Sequence, residues 1–375
     1  IIGFCPRKIF RTIYYEICFN VHREIYSTDE LTKLQCSRIE NRLYSLFEGM
    51  TLNSSKSSVV HLENIKAQGS YWGWLRSNRT CLVCIRRSPE HTMPCGHSIC
   101  DVCVQVFGVL SPHREEEFSI STCPLCGSNK VLTVRLKPST SAARVLSIDG
   151  GGPRGIVPLE NLAILQQLLG DGLPLSELIE LTVGCSSGGL ISLSNFMLRM
   201  EIGSCKSLFQ DLARKVLAPA RKKRFLGSWL SDGLYDVKVL EQVLKDHYTQ
   251  TRRMFDTAEN CLSSNKVAVI ASEIKDGAPF IFANYNGSAP HRAEPGIHSY
   301  GKCEYADLKY HLDLTGSRAR ATSAAPSLFS TIDIPGLGTF QDGGMRRHNN
   351  PINLALSEAK HLWPNSPSPD VFISL

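Results

Sequence analysis

Gly184-Cys185-Ser186-Ser187-Gly188 joins a β-rich run, residues 178–183, to an apolar helix-like run, residues 189–200. Few chain paths accommodate such a joint. A strand turning directly into a helix needs a sharp bend, glycines let the backbone make it, and the central serine keeps its hydroxyl exposed. Alone, a G-x-S-x-G pattern is a weak signal. Context comes from Asp149-Gly150-Gly151-Gly152-Pro153-Arg154-Gly155 upstream and Asp342-Gly343-Gly344 downstream.

The upstream loop has a readable setting. Arg144-Val145-Leu146-Ser147-Ile148 predicts a strand that empties into the glycines. Pro158 suits the first turn of a helix, Leu159, Leu162, Leu165, Leu168 and Leu169 recur at helical spacing, and Gly170 predicts its end. The corner between strand and helix should leave N–H groups free for a negative charge, either a phosphate or the oxyanion of an acyl transfer. Gly150, Gly152 and Gly155 also match the dinucleotide pattern G-x-G-x-x-G. That reading needs a second strand ending in an acid about 20 residues on. Here Asp171 and Glu177 flank a Gly/Pro loop instead, and no Gly-Lys-Ser/Thr ending marks a nucleotide P-loop. The oxyanion reading leads and the dinucleotide reading is its rival.

Through these segments, residues 144–375 resemble the patatin-like phospholipases. The resemblance implies a three-layer α/β/α fold and lipid acyl hydrolysis by a Ser–Asp dyad. Residues 149–155 look like the family's oxyanion loop and residues 184–189 like its nucleophile elbow. Ala321-Thr322-Ser323-Ala324-Ala325-Pro326 looks like its small-residue signature. Asp342-Gly343-Gly344, followed by Asn349-Asn350-Pro351, looks like the segment with the catalytic aspartate. The chain departs from the family in two places. Pro153 stands where an aliphatic residue is usual, which removes one N–H. Four residues, Met345 to His348, separate Asp-Gly-Gly from Asn-Asn-Pro where three are common.

The resemblance assigns Ser186 as nucleophile and Asp342 as the base acting on it directly. Gly150, Gly151 and Gly152 would supply oxyanion donors. Arg154, Gly155, Gly184, Gly188, Gly343 and Gly344 would support the motifs, Arg154 by holding the loop, favouring an anionic head group, or forming a structural ion pair. No calcium or organic cofactor is expected for catalysis. The bland rival is a Ser–His–Asp triad, with His348 the nearest histidine and His291, His298, His311 and His361 also available. Cys185 reads as a packing residue and Asp149 as a loop-shaping one.

A second signal lies upstream. Cys81-x2-Cys84, Cys95-x-His97, Cys100-x2-Cys103 and Cys123-x2-Cys126 supply eight ligands, enough for two tetrahedral zinc sites. Their order and gaps resemble a RING finger of the C3HC4 type. That resemblance implies interleaving, with Cys81, Cys84, Cys100 and Cys103 on one zinc and Cys95, His97, Cys123 and Cys126 on the other. It also raises a protein partner, a ubiquitin-conjugating enzyme, and with it the alternative of a RING-type ubiquitin ligase or scaffold whose patatin-like domain senses lipid. Such ligases resemble this segment in an aliphatic residue before the second ligand, Val83, and a proline in the last pair, Pro124. The basic residue common after the final ligand is Gly127 here.

The 375 residues have room for two or three domains. The expected division is an N-terminal, partly helical segment 1–80, a RING-type finger 81–126, a linker 127–143 and the patatin-like domain 144–375. Ser27-Thr28-Asp29-Glu30 resembles a capping box, followed by a helix with Leu31, Leu34, Ile39, Leu43 and Leu46 roughly on one face. Ile1 and the strand-like final residues suggest a piece of a longer chain. Seven of the 14 cysteines are not zinc ligands and are scattered, as expected of free thiols in the cytoplasm. No run of about 18 apolar residues predicts a membrane span. Net charge is +6. Its sharpest concentration is Arg221-Lys222-Lys223-Arg224, with Phe225, Leu226, Trp229 and Leu230 beside it. From Arg221 to Leu230 the composition suits peripheral contact with an anionic membrane, or equally a solvated basic loop. Nothing further supports nucleic-acid binding.

Overall fold

The computed structural model describes residues 5–216, 235–248, 265–285, 298–300 and 315–375, except positions 27, 78–79, 88, 139, 171, 276, 327, 336, 347, 364–365 and 367. The basic stretch 221–230 lies outside the described residues. The chain forms two compact units, Ile1–Gly73 with Pro124–Cys126, and Trp74–Cys123 with Gly127–Leu375.

In the first unit, a helical stretch over residues 6–25 ends in α1 (Tyr15–Ile25) and pairs with α2 (Asp29–Leu52); α3 (Ser57–Ala67) follows. Arg11 meets Glu40 across the hairpin at 2.8 Å. The capping residue of α2 is Thr28, whose side chain accepts from the Leu31 N–H at 3.3 Å. The start therefore lies one residue beyond the expected Ser27 box. The helix also faces differently from expectation. Thr32, Cys36 and Glu40 are buried, while Leu31 and Leu34 are 46% and 47% exposed. The buried face is thus the one that carries Glu40, which pairs with Arg11.

The second unit opens with the cysteine-rich segment. Strands β1 (His91–Thr92) and β2 (Ser98–Ile99) form a ribbon beside α4 (Asp101–Phe107), and β3 (Val109–Leu110), β4 (Glu117–Ile120) and β5 (Leu132–Arg135) form an antiparallel sheet. Residues 127–143 are thus not simply a linker. Leu132 and Val134 are buried, and β5 pairs with β4 in full.

The remainder is built on a mixed sheet. β6 (Arg144–Ile148), α5 (Ile156–Leu169), β7 (Leu181–Cys185) and α6 (Ser187–Ile191) follow in order. α6 continues through Ser192–Met197 as a wider π-helical turn. Then come α7 (Ile202–Asp211), α8 (Val237–His247), β8 (Lys266–Glu273), β9 (Pro279–Ala283), β10 (His298–Tyr300), α9 (Thr315–Thr322), β11 (Ile332–Ile334), β12 (Gly338–Asp342), α10 (Ile352–Leu362) and β13 (Val371–Ser374). The central strands β13, β6, β7 and β8 run parallel, and β9 and β12 are antiparallel to β8.

Alternation along the strands splits the core in two. Leu146, Ile148, Val267 and Val269 pack with Leu159, Leu162, Leu208 and Leu244 on one face. Val145, Val183, Ala268 and Ile270 pack with Leu354, Ala355 and Ala359 on the other. The sheet therefore lies between two helical layers. Gly170 closes α5 at φ +79° as the sequence predicts, but Leu168 is 79% exposed and takes no part in the core. The strand expected over residues 178–183 begins at Leu181, because Leu175–Leu178 form one helical turn.

Candidate active site

Strand β8 sets the site. It is longer than β7, and the same edge serves two strands in turn. Cys185, the last residue of β7, lies opposite Ile270, and Asp342, the last residue of β12, lies opposite Ala271. Register alone thus carries the residue after Cys185 to the aspartate across 156 positions of sequence.

At that junction the chain bends as the pentapeptide requires. Ser186 has φ +53° and ψ −122°, a conformation that a side-chain-bearing residue holds only when its surroundings impose it. The surroundings are close. A Cβ on Gly184 would collide with the Gly188 carbonyl, and one on Gly188 would lie 2.6 Å from the Asp149 carbonyl oxygen. Within residues 181–197 Ser186 alone is not buried, so the bend offers the solvent one side chain.

Asp342 is 3% exposed. Burial raises its pKa above the ordinary carboxylate value, while the neighbouring Ser186 side chain, the Gly344 N–H at 2.8 Å and the Cys185 thiol at 3.8 Å pull the other way. Burial prevails, which leaves a base of increased proton affinity beside a serine hydroxyl. Cys185 is itself fully buried, and burial followed by the nearby Asp342 charge holds its thiol well above the usual range. It is therefore a neutral donor and not a second nucleophile.

Thr322 had no role in the sequence reading beyond its small-residue signature. It holds the elbow: the Ser186 N–H donates to Thr322 Oγ1 at 2.9 Å, and that hydroxyl donates to the Ile270 carbonyl at 2.6 Å. The Asp342 N–H donates to the Ala324 carbonyl at 2.9 Å, which ties the signature to the base as well.

The glycine loop meets the elbow but differs from expectation. Its N–H groups are not all free. Gly150 donates to the Asn349 carbonyl at 2.9 Å and Gly151 to Ser187 Oγ at 2.8 Å. Gly152, at φ +56°, opens a 3-10 turn over Gly152–Gly155, where the first N–H groups have no partner within the helix. Arg154 is exposed and Gly155 is buried against Ser187 and Phe209. A 3-10 turn at Gly343–Arg346 precedes Asn-Asn-Pro, and Asn349 reaches Gly150, donating to its carbonyl at 3.0 Å. His348 makes no hydrogen bond to Ser186 or Asp342 among the described residues, and burial lowers its pKa. His361 bonds the Ser357 carbonyl within α10. His291 and His311 lie outside the described residues.

The expected metal ligands also gather. Cys81, Cys84, Cys100 and Cys103 place their sulphurs within 4.8 Å of one another. Ligands at about 2.3 Å from a tetrahedral zinc stand about 3.8 Å apart. The Cys81–Cys103 and Cys84–Cys100 sulphur separations are 3.9 and 3.8 Å, so the donor set fits that ion. In the other set, His97 Nδ1 lies 3.4 Å from Cys95 Sγ and 3.5 Å from Cys123 Sγ. Cys126 is exposed, three residues after Cys123.

Comparison with known proteins is consistent with this geometry. The model of the patatin-like phospholipase family matches residues 146–356, more than half of the chain. Over 233 residues the chain is 33% identical to the human calcium-independent phospholipase A2-gamma, a match covering 60% of this chain and 27% of that one. It is 25% identical over 285 residues to phospholipase A I of Arabidopsis thaliana, covering 64% and 21%. The match thus spans about a quarter of these relatives. Among solved structures, VipD from Legionella pneumophila aligns over 58% of this chain and 48% of its own, with 13% identity and a TM-score of 0.33.

Proposed function

This chain belongs to the patatin-like phospholipase family, and from that premise we propose that it hydrolyses fatty-acyl ester bonds of phospholipids or related glycerolipids through an acyl-enzyme on Ser186. The observation that carries the reading is the meeting of Ser186 and Asp342 on one edge of β8. Asp342 takes the Ser186 proton as the hydroxyl oxygen attacks the ester carbonyl. The resulting tetrahedral oxyanion is held at the glycine loop by the Gly152 N–H, those of Gly150 and Gly151 being engaged within the protein. Asp342 returns the proton to the departing glycerol oxygen, and the acyl group stays on Ser186. Water, deprotonated by Asp342, then attacks the acyl-enzyme. The fatty acid leaves and Ser186 recovers its proton. Hydrolysis of a phospholipid and glycerolipid panel by this chain beside Ser186→Ala tests the reading; equal turnover by the two proteins would overturn it.

Around this centre, the cysteine-rich segment is read as a RING-type module holding two structural zinc ions. Cys81, Cys84, Cys100 and Cys103 would hold one, and Cys95, His97, Cys123 and Cys126 the other. With every position taken by protein, neither ion would have room for a catalytic water, and zinc would supply folding energy only. Val83 is 1% exposed, which withdraws the aliphatic residue that RING ligases resemble one another in carrying. That burial favours a docking role over ubiquitin transfer. A reconstituted assay with a panel of conjugating enzymes tests this, since zinc-dependent autoubiquitination would reverse the order. Contact with an anionic membrane through residues 221–230 is proposed from composition alone. No helix among the described residues is long and apolar enough to cross a membrane.

A further inference from the structure

Two of the three N–H groups expected to bind the oxyanion are already in use, and their partners come from the other two catalytic segments. Gly151 donates to the hydroxyl of Ser187, the residue after the nucleophile. Gly150 and Asn349 form a reciprocal pair: the Gly150 N–H donates to the Asn349 carbonyl, and Asn349 Nδ2 donates to the Gly150 carbonyl. Space reinforces these bonds. A Cβ on Gly150 would lie 2.5 Å from Asn349 Oδ1, and one on Gly344 would lie 2.9 Å from the same atom. The Asn349 side chain, although exposed, therefore lies against both the glycine loop and the turn that carries Asp342. Ser187 is 3% exposed and its Cβ lies where a side chain on Gly155 would be.

We propose that Ser187 and Asn349 are positioning residues that fix the glycine loop between the nucleophile and the base, so that oxyanion stabilisation depends on side chains outside the loop. This rests on the esterase reading of Ser186 and Asp342. The physical ground is that a donor helps the transition state only if it is already aimed, and a misplacement of about 1 Å costs roughly 10²-fold. Four glycines in six residues (150–155) give a loop with little intrinsic preference for one shape. Ser187 fixes it to the elbow, and Asn349 fixes it to the base segment.

The test measures ester hydrolysis, fluorophosphonate labelling of Ser186, and inhibition by a lipid trifluoromethyl ketone, which adds the serine oxygen to its carbonyl as a tetrahedral adduct. The proteins are the full chain, Ser187→Ala, Ser187→Thr, Asn349→Ala and the double alanine variant. Labelling and turnover of the unaltered chain, absent in Ser186→Ala, establish the underlying reading first, so its failure is seen separately. Given that, Ser187→Ala and Asn349→Ala are each expected to lower kcat about tenfold or more with KM within about twofold. The ketone should weaken by the same factor as kcat/KM falls. Ser187→Thr, which keeps the hydroxyl, should recover most of the loss. The double variant should lose less than the product of the two, because both residues hold one loop. Should Ser187→Thr fail to fold, the Asn349→Ala ketone affinity and the double variant still decide. Unchanged or raised kcat in Ser187→Ala, multiplicative losses, or a ketone affinity that does not follow kcat/KM would each overturn the proposal.

Discussion

In the proposed mechanism Asp342 has to act as a base while almost wholly buried, and the conflict has measurable consequences. Burial raises its pKa. A base must be ionised, so kcat/KM should fall as pH falls through that raised value, with an acid limb above the ordinary carboxylate range of about 4. The sign for stability is opposite. A raised folded pKa gives stabilisation that is complete below the unfolded pKa and lost as pH rises through the folded one. At neutral pH the ionised carboxylate is therefore a cost. Asp342→Asn should abolish hydrolysis yet unfold at higher temperature than the unaltered chain at pH 7, with the gap closing toward pH 3 in calorimetry. His348 supplies the contrast. It touches neither Ser186 nor Asp342, so His348→Ala should keep most of the activity, while Ser186→Ala should lose on the order of 10⁴-fold or more. Comparable losses in the histidine and serine variants would restore a triad.

At the scale of elements, the elbow depends on space that only glycine leaves. Gly188 packs under the backbone carbonyls of Ile148 and Asp149, which cannot move without shifting β6. Gly188→Ala should cost about 3 kcal/mol in chemical denaturation and remove Ser186 labelling together with it. An alanine variant of native stability and full labelling would show that the bend tolerates a side chain. These glycines could be read from the sequence because a strand-to-helix turn demands them wherever it occurs. Thr322 and Asn349 could not be assigned roles in that way. Their partners, Ser186 with Ile270 and Gly150, are remote in sequence, and only strand register brings them together. Helix α2 makes the same point in reverse. Its leucines suggested a buried face, but the buried residues are Thr32, Cys36 and Glu40, the last paired with Arg11 of the neighbouring helical stretch.

For the whole molecule, the two chemistries should separate under chelation. If zinc holds the segment 81–126 together, removal with a strong chelator should unfold that segment and leave the α/β domain, with its own two-sided core, folded. Hydrogen exchange read by mass spectrometry would show loss of protection confined to the cysteine-rich residues and β3–β5. Elemental analysis well below two zincs per chain, or uniform loss of protection, would count against the assignment. Replacing Arg221, Lys222, Lys223 and Arg224 by serine should weaken sedimentation with anionic vesicles and leave a residue less sensitive to salt. Unchanged sedimentation would leave that stretch an ordinary solvated loop.

The amino-acid sequence by itself determined which atoms are available. It marked Ser186 by its flanking glycines, Asp342 by the glycines after it, and eight candidate ligand positions by tight pairs, because each of these is a local requirement of backbone or coordination geometry. It did not determine which N–H groups of residues 150–152 are free, what holds the elbow, or which face of a helix is inside. The first two follow from the length of β8, which receives β7 and β12 end to end, and from side chains that meet across it; the third follows from the helix packed beside α2 in its own unit. A residue's bonding partners depend on what the fold brings within about 3 Å, and spacing along the chain carries that information only for neighbours.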